Sequence, residues 1–292
     1  MTLSLRTTPL HAGSTADAPW WRDAVIYQVY PRSWADSDGD GIGDLPGITE
    51  RLPHLAALGV DAVWFSPFYV SPQNDAGYDV ADYRDIDPLF GDLQDLEALM
   101  ARADELGIKV VVDLVPNHTS SEHAWFQAAL AAGPGSPERA RYMFREGQGE
   151  DGAEPPNDWR SVFGGPAWSR VTEADGSPGQ WYLHLFDVTQ PDFNWHNPEV
   201  VEAFHGHLRF WLDRGVDGFR VAVAVGPAAW VDLVDHGVAP PGGVRRGASV
   251  QGRGAEGRHS VQCNHAASVR TSALHRRRCG RKIRSGCPRR RC

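Results

Sequence analysis

Three junctions, Leu58-Gly59-Val60, Leu106-Gly107-Ile108 and Arg214-Gly215-Val216, each set a glycine between an amphipathic stretch and a short apolar run. Glycine is the residue that most readily closes a helix in the left-handed region, so each junction reads as helix into strand. Ile48, Leu52, Leu55 and Leu58 mark one face of a first helix. Leu93, Leu96, Met100 and Ala103 mark a second, with Asp92 as N-cap. Val201, Phe204, Leu208 and Trp211 mark a third, opened by Asn197-Pro198. The strands are then 24–29, 60–65, 108–115 and 216–224, and the β-branched run in the third suits a parallel strand covered on both faces. Strands alternating with helices imply a parallel α/β sheet. The junction glycines are 48 residues apart in the first interval and 108 in the second, so about 60 extra residues enter after the third strand. That insert, 118–190, is rich in Gly, Pro and Trp with little helical periodicity, and a small irregular subdomain is expected.

Charge divides the chain. Residues 1–236 carry 15 Lys+Arg against 36 Asp+Glu, a balance of −21, whereas residues 237–292 carry 14 against one, a balance of +13; together they give the net −8. The division expected is 1–117 as the first part of the sheet, 118–190 as the insert, 191–236 as its continuation and 237–292 as a basic segment, disordered or frame-shifted. All four cysteines, Cys263, Cys279, Cys287 and Cys292, lie in that last segment without a paired C-x-x-C spacing, which argues against a zinc site. Its arginines could attract phosphate, but a nucleic-acid partner is the less favoured reading beside a disordered tail. No apolar run reaches about 18 residues, and residues 1–19 lack the apolar middle of a signal peptide, so a cytoplasmic protein without membrane partner is expected.

Two features point to chemistry. In Asp36-Ser37-Asp38-Gly39-Asp40-Gly41-Ile42-Gly43-Asp44, carboxylates alternate with glycines as in a loop that wraps a hard cation. Asp36, Asp38, Asp40, the Ile42 carbonyl and Asp44 fit the first ligands of an EF-hand-like site for calcium or magnesium, although Gly47 stands where the twelfth-position glutamate belongs. The other feature is Arg220, a permanent cation inside an apolar strand, which needs an anionic partner. It serves either a structural ion pair with an upstream aspartate or a site at the carboxyl end of a strand.

Four blocks fall at strand ends: Asp75-Ala76-Gly77-Tyr78-Asp79, Asp113-Leu114-Val115-Pro116-Asn117-His118, Gln190-Pro191-Asp192-Phe193-Asn194-Trp195 and Gly218-Phe219-Arg220-Val221-Ala222. Singly, His118 could be a satisfied core histidine, Tyr78 and Phe186 packing aromatics and Gln190 a turn residue. In this order they resemble the α-amylase superfamily, glycoside hydrolase family 13, and within it the oligo-1,6-glucosidase and α-glucosidase branch, over residues 20–224. The resemblance implies a (β/α)8 TIM barrel, here incomplete with its first four strands, with a subdomain after the third, acting on α-linked gluco-oligosaccharides with retention of configuration. It implies that Asp75, Tyr78 and His118 hold the terminal glucose, that Phe163, Phe186 and Gln190 line the pocket, that Asp113 and Asn117 brace the third strand, and that Arg220 orients the nucleophile. The acidic loop matches the family's calcium or magnesium site. Val223 falls where a β-branched residue goes with α-1,6 preference in the resembled enzymes.

One departure is decisive for chemistry. Retaining hydrolysis needs a carboxylate that attacks the anomeric carbon and a second that protonates the leaving oxygen. In the resembled family the attacking aspartate stands two residues after the arginine, where this chain has Ala222. The expectation is a truncated and inactive α-glucosidase-type chain, with a catalytically dead carbohydrate-binding or scaffold protein as the alternative.

Overall fold

The structure is a computed structural model describing residues 19–222; Val223 and the basic segment 237–292 lie outside the described residues. In chain order the elements are β1 (Ile26–Val29), α1 (Pro31–Trp34), α2 (Leu45–Leu58), β2 (Ala62–Phe65), β3 (Tyr69–Val70), β4 (Asp82–Ile86), α3 (Leu93–Glu105), β5 (Lys109–Leu114), α4 (Ala124–Ala132), β6 (Phe144–Arg145), β7 (Trp168–Thr172), β8 (Pro178–Leu183), α5 (Pro198–Arg214) and β9 (Gly218–Val221). Four strands form one parallel sheet in the order β1-β2-β5-β9. The connections run through α2, α3 and α5, which is the strand–helix progression of the first half of a (β/α)8 barrel. No helix among the described residues is long and apolar enough to cross a membrane.

The junction glycines behave as their sequence implies. Gly59 and Gly215 cap α2 and α5 with φ of 84° and 107°, a region that a side-chain-bearing residue enters at a cost of about 1 kcal/mol. At the other ends Asp44, Asp92 and Asn197 accept hydrogen bonds from first-turn amides, and Asp92 forms a reciprocal capping box with Asp95. Val29, Phe65, Val112 and Phe219 stand in register across the sheet, and the first three are fully buried against the helices. Ile48, Leu52 and Leu55 join that core from α2, Leu96, Leu99 and Ala103 from α3, and Phe204 and Trp211 from α5.

Several expectations shift at element ends. Leu58, placed on the buried face by its spacing, is 59% exposed because it lies in the last turn before Gly59. On α5 Val200 is buried rather than Val201. The outer strands are shorter than their apolar runs, which leaves Val25 outside β1, and Ile26 and Val221 are exposed although they belong to the two outermost strands. The insert is more regular than its composition implies: α4 is followed by an antiparallel sheet in the order β6-β8-β7, with its own core of Met143, Trp159, Ala167, Trp168, Leu183 and Leu185. Its period is hidden because burial does not alternate along β7 and β8 and the helix is apolar on nearly every side. Arg139 ties α4 to this sheet: its guanidinium donates to both carboxylate oxygens of Glu173, at 2.6 and 2.9 Å, and to the Ala129 carbonyl, and lies over the Phe144 ring.

Candidate active site

Adjacent parallel strands place Asp113 opposite Arg220, each next to last in its strand. Arg220 Nη1 donates to Asp113 Oδ1 at 3.2 Å and Oδ2 at 3.0 Å, and to the Tyr78 hydroxyl at 3.3 Å. Tyr78 in turn donates to Asp113 Oδ2 at 3.0 Å, and the guanidinium lies 4.8 Å from the centroid of the Trp64 ring. The structural ion pair read as one option for Arg220 is therefore present. Burial pushes the Asp113 carboxyl up to about 6; Arg220 and Tyr78 oppose the shift without cancelling it. Arg220 itself stays 39% exposed by its side chain, so the pair leaves it accessible.

Loop 71–81 brings Asp75 and Tyr78 to the same strand ends. Asp75 Oδ2 accepts from Gln190 Nε2 at 2.8 Å across 115 residues, while Gln190 Oε1 accepts from the Asp187 amide at 2.9 Å, leaving this fully buried glutamine with a fixed orientation. Burial raises the pKa of Asp75, Gln190 lowers it, and Asp79 and Asp187 add to the rise. His118 is buried, with Asn117 Nδ2 at 3.1 Å from its Nδ1 and the Tyr78 carbonyl 3.3 Å from its Nε2. A carbonyl can only accept, so the tautomer assigned from this network carries its proton on Nε2. Burial drives the ring's pKa down to about 4, and it is neutral at pH 7. Its ring centroid is 5.2 Å from Phe186, which meets Phe163 edge-on at 5.7 Å; Phe163 is 58% exposed at the rim.

Asp75, Tyr78, His118, Phe163, Phe186, Gln190 and Arg220 are thus brought together into one connected set. Ala222 is buried, and its amide donates to the Leu114 carbonyl at 2.8 Å, which extends the ladder one residue past β9. Asn117 ties the end of the third strand to the segment that follows the insert: its Nδ2 donates at 2.8 Å to Asp192, a buried carboxyl whose pKa desolvation raises strongly. Sequence reasoning quoted Asp79 and Asp192 within their blocks but gave neither a role, and it passed over Trp64 as a strand residue. Nothing in a linear pattern marks an aspartate that is to be buried.

The acidic loop gathers part of its expected set. One carboxylate oxygen from each of Asp36, Asp38 and Asp40 lies within 4.8 Å of the others, all three side chains being exposed. Gly39 and Gly41, with φ of 86° and 92°, turn the backbone so that their amides donate to Asp36, and those bonds lower its pKa. The Ile42 amide donates to Asp40. Asp44 falls outside the group of three: Oδ1 caps α2 through the Gly47 amide and Oδ2 accepts from Ser37. A cluster of ionised oxygens on a tight turn has the donor chemistry of a hard divalent cation.

Residues 28–231 match the alpha-amylase family, described as alpha amylase, catalytic domain. The chain is 47% identical over 217 residues to the oligo-1,6-glucosidase of Heyndrickxia coagulans, covering 74% of this chain and 38% of that protein. It is 49% identical over 209 residues to the trehalose-6-phosphate hydrolase of Bacillus subtilis (strain 168), covering 72% and 36%. Among solved structures, the alpha-glucosyl transfer enzyme XgtA superposes with a TM-score of 0.66 at 53% identity, covering 70% of this chain and 37% of that one. The chain therefore spans just over a third of the length of these relatives.

Proposed function

The chain belongs to the alpha-amylase family, and from that premise we propose that its described residues form the glucosyl-recognition side of a retaining α-glucosidase-type site that binds α-linked gluco-oligosaccharides without cleaving them. The observation that carries the proposal is the connected set of Asp75 on Gln190 and Tyr78 on Asp113 and Arg220, closed by His118 and Phe186. In it Asp75, Tyr78 and His118 hold the terminal glucosyl residue, because convergent polar groups beside aromatic faces suit a ring with hydroxyl edges and apolar faces. Phe163, Phe186 and Gln190 line the wall supplied by the insert. Arg220 faces the position where an attacking carboxylate belongs, and Ala222 offers a methyl group there, which cannot form the glycosyl ester that retention requires. Ground-state contacts from the remaining residues do not lower that chemical barrier.

Incubation with p-nitrophenyl α-glucoside should release no nitrophenol above background, while calorimetry with isomaltose or maltose should register binding. By comparison with covalent enzymes stripped of their nucleophile, the loss in rate is on the order of 10⁴ to 10⁶. Turnover by the unaltered chain would remove Ala222 from the nucleophile position; absence of binding to both sugars would remove the recognition set. We assign the acidic loop a structural calcium or magnesium ion held by Asp36, Asp38 and Asp40, the three carboxylates that lie together. Titration with either ion should give heat that Asp38→Ala abolishes, and silence toward both would overturn the assignment.

A further inference from the structure

Loop 71–81 carries two of the recognition residues on a backbone that it would not adopt unaided. Gln73, Ala76 and Gly77 have φ of 63°, 51° and 96°, and a Cβ on Gly77 would stand 2.9 Å from the Pro67 carbonyl oxygen. Left-handed conformations at residues bearing side chains persist only where the surroundings over-determine them. Here the stretch 74–75 is held by one carboxylate. Asp79 is fully buried, and its three donors are neutral groups of its own loop: Ser71 Oγ at 2.9 Å and the Asp75 amide at 3.0 Å on Oδ1, and the Asn74 amide at 2.8 Å on Oδ2. A second buried carboxylate, Asp87, holds the start of the loop through the Ser71 amide at 3.2 Å and Gln73 Nε2 at 3.1 Å.

We propose that Asp79 is a positioning residue: its carboxylate fixes the backbone at 74–75 so that the Asp75 side chain meets Gln190 and faces the glucosyl site, an inference that rests on the glucosyl-recognition proposal for its functional meaning. A charge-assisted acceptor at the centre of a turn is stronger than a neutral one, and an amide in its place would turn one of the two oxygens into a donor facing a donor. The charge has its own consequence. Burial is the first cause of Asp75's raised pKa, and the like charges of Asp79 in the same loop and Asp187 in the insert add to it, while the Gln190 amide opposes them. A residue that only filled space would leave that titration unmoved.

The test compares the full chain with Asp79→Asn in three measurements: hydrogen exchange at the Asn74 and Asp75 amides, titration of the Asp75 carboxyl by NMR, and isomaltose binding by calorimetry across pH. Exchange at the two amides should accelerate tenfold or more while β2 and β5 stay protected, the Asp75 titration should shift as the Asp79 charge and the Gln190 bond are lost, and isomaltose should bind at least tenfold more weakly. Unchanged exchange together with an unmoved Asp75 titration would overturn the proposal. If the unaltered chain binds no isomaltose, glucosyl recognition falls, yet exchange and titration still decide the role of Asp79. Should Asp79→Asn fail to fold, Ser71→Ala, which removes one donor and keeps the charge, should speed exchange at Asn74 and Asp75 several-fold without moving the titration; unaltered exchange there would count against Asp79 as the anchor.

Discussion

Asp113 and His118 sit five positions apart and respond to acid in opposite senses. Asp113 titrates at about 6 in the fold against 3.8 ordinarily. Its contribution to stability is therefore fully present below 3.8 and is lost as pH rises through about 6, a swing of roughly 3 kcal/mol for a carboxyl this buried. His118 is neutral in the fold with a pKa of about 4 against 6.5, so its contribution is present above 6.5 and is lost as pH falls through about 4. The two slopes oppose each other between pH 4 and 6. Asp113→Asn removes one of them, and urea midpoints of that variant should climb more steeply from pH 4.5 to 6.5 than those of the unaltered chain. Identical profiles for the two chains would show that Asp113 carries its proton no differently folded than unfolded.

At the scale of elements, the insert hangs on Arg139, which is 2% exposed and has Glu173 as its carboxylate partner. Arg139→Met leaves that carboxylate and two helix carbonyls without their donor, and breaking a pair this buried costs about 3 to 5 kcal/mol. Because the insert has a separate core, the loss should appear locally. Limited proteolysis should cut within 133–180 many times faster while amide exchange in β2 and β5 is unchanged; uniform loss of protection would mean that insert and sheet unfold as one unit. The elements that were legible in the sequence are those whose signals are local. Gly59 and Gly215 end helices wherever they occur in such patterns, and the β-branched run at 110–112 can only be a covered strand. What stayed hidden depends on partners far along the chain. β6 spans only two residues and burial does not alternate along β7 and β8, so none of them stands out, and Asp44, read from its spacing as a ligand, is also the N-cap of α2. The Asp113–Arg220 pair depends on strand register, which no spacing within either block encodes.

Taken whole, the described residues form a sheet with β1 and β9 as its outer strands, and the exposed apolar residues Val25, Ile26 and Val221 lie at or beside them. Among the described residues these two edges have no partner strand, and parallel edges of this kind recruit other strands. Sedimentation velocity at rising protein concentration should reveal larger species, and lysine at both edges, Ile26→Lys with Val221→Lys, should return the protein to the mass of one chain. A mass distribution indifferent to those lysines would mean that other parts of the chain cover the edges. The separation of Asp113 and Arg220 by 107 positions also has a meaning in time. A ribosome adds about 5 to 20 residues per second, so the carboxylate is made roughly 5 to 20 seconds before its guanidinium exists. Throughout that interval Asp113 can have Tyr78 as a donor but not the guanidinium that it pairs with in the fold. The order of synthesis therefore puts this ion pair among the last contacts of the four-stranded sheet to form, when the fourth strand arrives beside the third.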